Sequence, residues 1–196
     1  MHKHAVKNVI CRVQSPVQEI TIIDTYNYGR CLILDNEFQS AEADEFIYHE
    51  ALVHPALVLH PGVETALVLG GGEGATLREI LLYRTVKKAV MVDIDGEMIT
   101  CARKFLPTFH AGAFDDGRVQ LVIEDGRNYV ERTLERFDVI IIDVNDPLEN
   151  GLSNKLFTLE FYQILAERLK TNGIVVVQSG AASHTENDGF TGICAT

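Results

Sequence analysis

The chain has 196 residues, of which 46% are hydrophobic and 23% charged, and its formal net charge is −11 at pH 7. This composition is ordinary for a globular protein of one domain, with room for a small accessory subdomain. The acidic charge argues against a nucleic-acid partner, since phosphate binding needs a basic face. No apolar run approaches the roughly 20 residues that cross a bilayer, and the N-terminus lacks the apolar stretch of a signal peptide. We therefore expect a cytoplasmic protein with no membrane partner.

The negative charge is compatible with a cationic substrate, because a negative field concentrates cations near a cleft. Many cytosolic proteins are acidic merely for solubility, so the charge alone does not decide between the two interpretations. The cysteines form no CxxC pair and have no histidine at the spacing of a zinc site. We expect reduced thiols and no metal; the cysteines are Cys11, Cys31, Cys101 and Cys194.

The first 44 residues are predicted to form a small β-strand subdomain. Residues 18–24 and 30–35 are rich in β-forming side chains and flank a turn signal at 27–29, which predicts a β-hairpin. A helix is predicted over residues 44–59, bent at Pro55. Residues 45–196 are then assigned to a single nucleotide-binding domain.

From residue 66 onward, short apolar strands alternate with helical patterns. The predicted strands are 66–69, 88–93, 119–123, 137–142 and 174–177, and the helices are 75–83, a segment ending near 106, 127–136 and 156–170. Alternation of this kind is typical of βαβ units with right-handed crossovers, and near-continuous Val/Ile/Leu runs indicate strands covered on both faces. The predicted fold class is α/β, a doubly wound parallel sheet of the Rossmann-like type.

Acidic or glycine-rich clusters follow four of the predicted strands, and such sheets bind ligands at the carboxyl ends of their strands. The clusters are 70–74, Asp93, 124–126 and 143–146. Gly70, Gly71 and Gly72 let the backbone approach a ligand closely. Asp93, about 20 residues further on, is placed to accept both ribose hydroxyls.

The glycine run is not a dinucleotide motif. GGGEG lacks the GxGxxG spacing, and the carboxylate of Glu73 would repel a pyrophosphate. An adenosine without phosphates fits better, which favours a sulfonium nucleotide, with Asp125 and Gly126 near its adenine. The alternative for Glu73 is an acid that favours the dipole of the following helix.

These segments resemble the polyamine aminopropyltransferase (spermidine synthase) family. The matching segments are 18–20 (QEI), 39–50, 70–79 (GGGEGATLRE), 93–95 (DID), 124–126 (EDG), 143–147 (DVNDP) and 156–162 (LFTLEFY). They follow the family order from about residue 18 to residue 180. The resemblance implies an enzyme that moves an aminopropyl group from decarboxylated S-adenosylmethionine, a co-substrate rather than a cofactor, to a polyamine, with release of methylthioadenosine.

The resemblance also implies a role for individual residues. The donor would be held by Gln18, His49, Asp93, Asp125 and Gly126. Glu73 takes the place of the acid that holds the aminopropyl ammonium. Asp143 would be the general base, and Tyr48 and Asp146 would grip the amine. Taken alone, His49 and Tyr48 are also compatible with a satisfied helix histidine and a packing tyrosine.

Some features depart from the usual family pattern. The loop 143–155 is longer than that of putrescine-using members and more similar to the thermospermine branch, and Glu149 is a candidate for an additional ammonium. The acceptor therefore stays open among putrescine, agmatine, cadaverine and spermidine. We find no counterpart of the family's segment beyond its fifth strand, so we expect the chain to be incomplete at its C-terminus.

Two other functions share the predicted nucleotide site. One is an S-adenosylmethionine-dependent N-methyltransferase of a diamine, which Glu73 and the Asp143/Asp146 pair disfavour. The other is a non-catalytic nucleotide-binding relative. Finally, two hairpin strands are marginal alone and present pairable edges, so we expect a homo-oligomer, dimer or tetramer, built through the N-terminal strands.

Overall fold

The computed structural model describes residues 5–145 and 152–180. Four antiparallel strands form the first sheet. They are β1 (Val6–Gln14), β2 (Glu19–Thr25), β3 (Arg30–Leu34) and β4 (Glu37–Ala41). The predicted hairpin is confirmed as β2 and β3, whereas β1 and β4 were not predicted. Most residues of β1 are exposed, and the pairing of β1 with β2 contains register shifts. The sequence of β1 therefore shows little of the apolar–polar alternation that marks a strand.

The second sheet contains five parallel strands in the order β7-β6-β5-β8-β9, connected by helices. The strands are β5 (Thr65–Gly70), β6 (Lys88–Asp93), β7 (Val119–Ile123), β8 (Phe137–Asp143) and β9 (Leu169–Val177). The helices are α1 (Glu45–Leu59), α2 (Ala75–Leu81), α3 (Gly96–Phe105), α4 (Pro107–His110), α5 (Gly126–Arg132) and α6 (Leu159–Glu167), with 3-10 turns at Ala113–Asp115 and Leu152–Leu156. The predicted doubly wound α/β fold is confirmed.

Alternate residues of the central strands enter two different apolar clusters. Ala66 and Val68 of β5 pack with side chains of α1, α2 and α3, whereas Leu67 and Leu69 pack with side chains of α5 and α6. Burial of both faces explains why these strands have continuous apolar sequences rather than alternating ones.

Several predicted boundaries are wrong, among them the start of the last strand, expected at residue 174 and found at Leu169. The helix expected over 127–136 ends at Arg132, because Thr133 is extended and leads toward β8. The helix expected from residue 156 begins at Leu159, where the Thr158 side chain accepts the N–H of Phe161 as an N-cap. Its predicted C-terminal residues fall in β9, which begins at Leu169. Helix α1 runs through Pro55 to Leu59 as one element.

The N-terminal sheet shares a core with the parallel sheet. Ile20 and Leu32 belong to the same buried cluster as Val68 and Met91. A common core thus extends across the domain boundary that we predict at residue 44. The boundary itself stays a prediction. Among the described residues, no helix is long and apolar enough to cross a membrane.

One buried carboxylate ties the two sheets together. Asp95 is 1% exposed and is the N-cap of α3, accepting the backbone N–H of Glu97 at 3.1 Å. Its other oxygen accepts hydrogen bonds from the Ser15 hydroxyl at 2.8 Å and the Gln18 amide at 3.0 Å. The loop between β1 and β2 is thereby fixed against the end of β6.

We predict that Asp95→Ala lowers the free energy of unfolding by about 2–4 kcal/mol. The substitution removes an N-cap, worth about 1 kcal/mol, and leaves two donors without their acceptor at about 1 kcal/mol or more each. Urea denaturation measures the change. The matched control is Glu97→Ala, an exposed acid in the first turn of the same helix, with an expected change below about 0.5 kcal/mol. Equal effects of the two substitutions would contradict the account.

Candidate active site

The sheet order brings four of the predicted site segments to one edge. Strand β5 pairs with β6 on one side and with β8 on the other, and β6 pairs with β7, all parallel. The segments that follow these strands therefore emerge at the same edge of the sheet. They are the glycine loop 70–74, Asp93, the 124–126 segment and Asp143.

The glycine loop lies directly against the end of β8. Gly70 and Gly71 have φ values of +82° and +72°, in the left-handed region that favours glycine. The N–H of Gly71 donates to the carbonyl oxygen of Asp143 at 2.8 Å. A Cβ atom on Gly70 would lie 2.2 Å from that oxygen, so a side chain at this position is excluded. Because Gly70 and Gly71 have no side chains, the backbone of the loop can approach Asp143 this closely.

Asp93 ends β6 beside the same loop. Its carboxylate accepts the N–H of Asp95 at 2.8 Å and a backbone hydrogen bond from Gly72. A Cβ atom on Gly72 would lie 2.8 Å from its Oδ2, so glycine leaves room for the carboxylate to face the loop. Burial raises the pKa of Asp93 to about 6. Near neutral pH it is therefore an ionised acceptor with capacity for the two hydroxyls of a ribose.

Asp125 and Gly126 lie at the start of α5. Asp125 caps this helix by accepting the N–H of Asn128 at 3.1 Å, and it forms an ion pair with Lys155. Burial alone would raise its pKa, but the hydrogen bonds from Lys155 and Asn128 outweigh burial and lower it. Gly126 begins the helix, and a Cβ atom there would make ordinary contacts with Leu69.

Two hydroxyl groups hold the carboxylate of Asp143. Tyr48 donates to its Oδ1 at 2.6 Å and Thr76 donates to its Oδ2 at 2.5 Å. Burial raises the pKa of Asp143, whereas the positive charge of His49 and the two hydrogen bonds act in the opposite direction. A raised pKa makes this carboxylate a better proton acceptor than an exposed one.

Glu73 and His49, predicted separately for the donor, form one buried pair. His49 Nε2 lies 2.8 Å from Glu73 Oε1, and the hydroxyl of Ser40 donates to Glu73 Oε2 at 2.6 Å. On its other side, His49 Nδ1 lies 2.8 Å from Glu45 Oε2. Burial lowers the pKa of His49, but hydrogen bonds to Glu45 and Glu73 outweigh burial and raise it to about 10. Glu73, near the end of the glycine loop, thus lies between the cationic ring of His49 and the hydroxyl of Ser40.

Gln18 reaches the site through a neighbour of Asp93. Its amide group donates to Asp95, two residues beyond Asp93, and its backbone carbonyl accepts the backbone N–H of Ser15 at 2.9 Å. The amide nitrogen of Gln18 is thereby engaged within the protein. Asp146 and Glu149 lie outside the described residues, so their proposed contacts with an amine stay predictions.

Sequence reasoning missed three residues that contact the predicted site. Ser40 binds Glu73, Thr76 binds Asp143 and Glu45 binds His49. Glu45 and His49 stand four residues apart on a predicted helix, so that contact had a sequence signal. Ser40 and Thr76 had none, because their partners are 33 and 67 residues away along the chain.

A further group of possible metal ligands was not predicted. Glu50, His54 and Glu79 each offer one ligand atom, and these atoms lie within 4.8 Å of one another. One oxygen of Glu79 is already bound by Arg78 Nε at 2.7 Å and the other lies 3.2 Å from His54 Nε2. Both oxygens of Glu79 are thus engaged by Arg78 and His54.

The site has two chemically different halves. On the side of β6 and β7, Asp93 and the 124–126 segment offer carboxylate acceptors and a glycine without a side chain, which suit a nucleoside. On the side of β8, the carboxylates of Asp143 and Glu73 suit a cation. The glycine loop joins the halves, so a ligand that carries a positive charge beside a nucleoside fits both.

Comparison with known proteins agrees with this geometry. A family model described as the spermine/spermidine synthase domain matches residues 45–193, and one described as the spermidine synthase tetramerisation domain matches residues 1–42. The chain is 52% identical over 170 residues to a polyamine aminopropyltransferase of Pyrobaculum neutrophilum, covering 85% of this chain and 58% of the relative. It is 47% identical over 184 residues to polyamine aminopropyltransferase 2 of Pseudomonas aeruginosa, covering 94% of this chain and 53% of the relative.

Solved structures give the same result. A crystal structure of a spermidine synthase in complex with the transition-state analogue AdoDATO has a TM-score of 0.92 and 38% identity, covering 97% of this chain and 64% of that one. The spermidine synthase of Thermotoga maritima has a TM-score of 0.86 and 38% identity, covering 97% and 62%. The chain spans less than two thirds of the length of each of these relatives. Since one family model matches most of the chain, the protein belongs to the spermine/spermidine synthase family.

Proposed function

We propose that this protein is a polyamine aminopropyltransferase. It transfers the aminopropyl group of decarboxylated S-adenosylmethionine to an amine nitrogen of a polyamine and releases methylthioadenosine. The observation that carries the proposal is the junction of Asp143 with the glycine loop, which puts a half-buried carboxylate of raised pKa next to the segments that follow β5 and β6. The names of the relatives support the same reaction.

The reaction needs a free amine. An alkylammonium has a pKa of about 10.4, so near neutral pH its nitrogen is almost entirely protonated and cannot attack. Asp143 binds the ammonium and accepts its proton, after which the amine lone pair forms a bond to the carbon next to sulfur. The electrons of the broken carbon–sulfur bond pass to sulfur, and the sulfonium becomes the neutral thioether of methylthioadenosine.

Tyr48 and Thr76 orient the base. Their hydroxyls donate to the two different oxygens of Asp143, which fixes the plane of the carboxylate. Each carboxylate oxygen has a further lone pair for the ammonium. Alignment of nitrogen, carbon and sulfur contributes much of the acceleration, because it replaces a random encounter with an oriented one.

The donor occupies the other half of the site in this proposal. Asp93 accepts the ribose hydroxyls, and Asp125, Gly126 and Gln18 lie around the base and the ribose. A ribose hydroxyl binds best while Asp93 is ionised. Since its pKa is raised to about 6, nucleoside binding weakens as the pH falls through that value.

Glu73 selects the donor. Its carboxylate attracts the free ammonium of the decarboxylated nucleotide and repels the α-carboxylate that S-adenosylmethionine carries. His49 and Ser40 each engage one oxygen of Glu73, so the side chain is held in place before the donor arrives. A methyltransferase would need to accommodate that α-carboxylate, and this site is poorly suited to it.

The acceptor is a polyamine of the class that includes putrescine, agmatine, cadaverine and spermidine. The anionic half supports a cationic acceptor, but the 146–151 segment, which includes Asp146 and Glu149, lies outside the described residues. The loop's similarity to the thermospermine branch makes the larger amines candidates beside putrescine.

The proposal extends to a homo-oligomer in the cytoplasm, dimer or tetramer. Residues 1–42 match the tetramerisation-domain model, and strand β1 forms an edge of the N-terminal sheet. An edge strand offers unpaired backbone groups to a second copy. Light scattering at micromolar concentration is expected to give a multiple of the chain mass of 21.8 kDa, and a monomeric mass would refute it.

The function is tested by the products formed from two donors. We expect methylthioadenosine from decarboxylated S-adenosylmethionine and a polyamine, with no S-adenosylhomocysteine from S-adenosylmethionine. Glu73→Gln is expected to reduce the preference for binding the decarboxylated donor by about tenfold, equivalent to about 1.4 kcal/mol. Glu50→Gln, an exposed change on α1, is the control. S-adenosylhomocysteine as the product would indicate a methyltransferase, and nucleotide binding without either product would indicate a non-catalytic relative.

Asp143→Asn tests the general base. We expect turnover to fall by about 10² to 10⁴, the usual contribution of a positioned acid or base. Residual turnover should rise with pH, because solution then supplies more free amine. Methylthioadenosine affinity should stay close to that of the unsubstituted protein, since the proposed nucleoside contacts lie on Asp93 and the 124–126 segment. Unchanged turnover with asparagine at this position would assign the proton transfer to another group.

A further inference from the structure

A continuous chain of charged groups leads from α2 into the proposed site. Both terminal nitrogens of Arg78 donate to Glu45, at 2.8 Å to Oε1 and 3.0 Å to Oε2. Glu45 Oε2 lies 2.8 Å from His49 Nδ1, and His49 Nε2 lies 2.8 Å from Glu73 Oε1. The exposed fractions of the side chains of Glu45, His49 and Glu73 are 8%, 2% and 10%. These three charged side chains are therefore almost wholly shielded from water.

We infer that Glu45, anchored by Arg78, is a positioning residue that keeps both ring nitrogens of His49 protonated, so that His49 holds Glu73 in the site. Neither Glu45 nor Arg78 contacts the halves of the site where we place donor and acceptor. Their effect on turnover rests on the proposed function, whereas their effect on His49 does not.

The geometry around His49 requires a hydrogen-bond donor at each ring nitrogen. Among residues 5–145 and 152–180, the groups recorded within hydrogen-bond reach of Nδ1 are the carbonyl oxygen and the carboxylate of Glu45, both acceptors. Nε2 faces a carboxylate oxygen of Glu73. A neutral imidazole has one N–H, so one of its nitrogens would direct a lone pair at an acceptor. When both partners are ionised carboxylates, the imidazolium form, with two N–H groups, is the one that satisfies both contacts.

The charges around the ring of His49 are predominantly negative. His49 is faced by Glu45 on its own helix, by Glu73 on the glycine loop and by Asp143 at the end of β8, all acidic. The ring of Tyr48 meets it edge-on, with centroids 4.9 Å apart. Arg78 lies behind Glu45 and binds both of its carboxylate oxygens. Three carboxylates outweigh the cost of burying one imidazolium, which is why the pKa of His49 is raised to about 10.

Arg78 gives Glu45 a fixed position. Its guanidinium also donates to the carbonyl oxygen of Phe109 at 2.6 Å and to Glu79 Oε1 at 2.7 Å. Four short contacts hold the guanidinium, and a planar group held in this way binds a carboxylate at both oxygens. Burial alone would raise the pKa of Glu45, but hydrogen bonds from His49 and Arg78 outweigh burial and lower it, so Glu45 remains ionised beside His49.

The inference predicts where His49 loses its proton. In the unsubstituted protein its ring should remain doubly protonated through neutral pH and titrate only near pH 10. Glu45→Gln removes one of the three facing charges, so the titration midpoint should fall by about one unit or more. Glu45→Asp keeps the charge and should restore at least part of the midpoint. Nitrogen NMR of the imidazole rings, assigned with His49→Gln, reports the titration directly.

The matched control is Glu50→Gln, the same change at an exposed position on the same helix. It should shift the His49 midpoint by a small fraction of the Glu45→Gln shift, because water screens an exposed charge. A midpoint near 6.5 in the unsubstituted protein would overturn the inference without any variant. An unchanged midpoint in Glu45→Gln, or equal shifts in both variants, would overturn it as well.

Measurements of turnover as a function of pH separate this inference from the proposed function. With donor and polyamine present, the loss of kcat/KM at alkaline pH should begin about one unit or more lower in Glu45→Gln than in the unsubstituted protein. Methylthioadenosine, which lacks the ammonium that Glu73 binds, should bind both proteins equally. A shifted midpoint without turnover in any form would retain the positioning role and reject the proposed function. If Glu45→Gln turns over substrate with the same His49 titration midpoint and the same pH profile as the unsubstituted protein, the proposed function is retained and the positioning role of Glu45 is rejected.

Discussion

The close approach of the glycine loop to the end of β8 is the constraint on which the site depends. The Gly71 N–H binds the Asp143 carbonyl, and any Cβ atom on Gly70 would overlap that oxygen. The main chains of β5 and β8 therefore determine how far Asp143 lies from the nucleoside half of the site. Because both strands are buried on both faces, this distance is supported by the core of the sheet rather than by a surface loop.

A second feature, the balance of buried charge, gives this junction its chemistry. Glu45, Glu73 and Asp143 surround one imidazolium, so the cluster carries a net negative charge even after Arg78 is paired with Glu45. Buried charges are costly unless they are paired and hydrogen-bonded, and here each described member has at least one close partner. The remaining negative charge faces the region where a cationic donor tail and a polyamine are proposed to meet. In the proposed function, donor selection and amine activation both follow from this one electrostatic arrangement.

Much of this arrangement was predictable from local sequence. The Val/Ile/Leu runs and the acidic residues that follow them predicted the five parallel strands and the segments gathered at their ends. Strand β1 was missed because its exposed, irregular residues lack alternation, and the start of α6 was misplaced because the cap at Thr158 was overlooked. The pairing of Tyr48 with Asp143 joins residues 95 positions apart, and that of Arg78 with Glu45 joins residues 33 apart. Contacts of this kind depend on the packing of whole elements, which no short motif encodes.

The most direct measurement of the central claim is a crystal structure of the chain with methylthioadenosine and a polyamine bound. The account predicts both ribose hydroxyls on the Asp93 carboxylate and the adenine beside the 124–126 segment. It predicts an amine nitrogen at hydrogen-bond distance from Asp143, about 2.6–3.2 Å, on the side that faces the sulfur atom. A nucleoside bound away from the glycine loop, or an amine whose nearest carboxylate is not Asp143, would contradict the account.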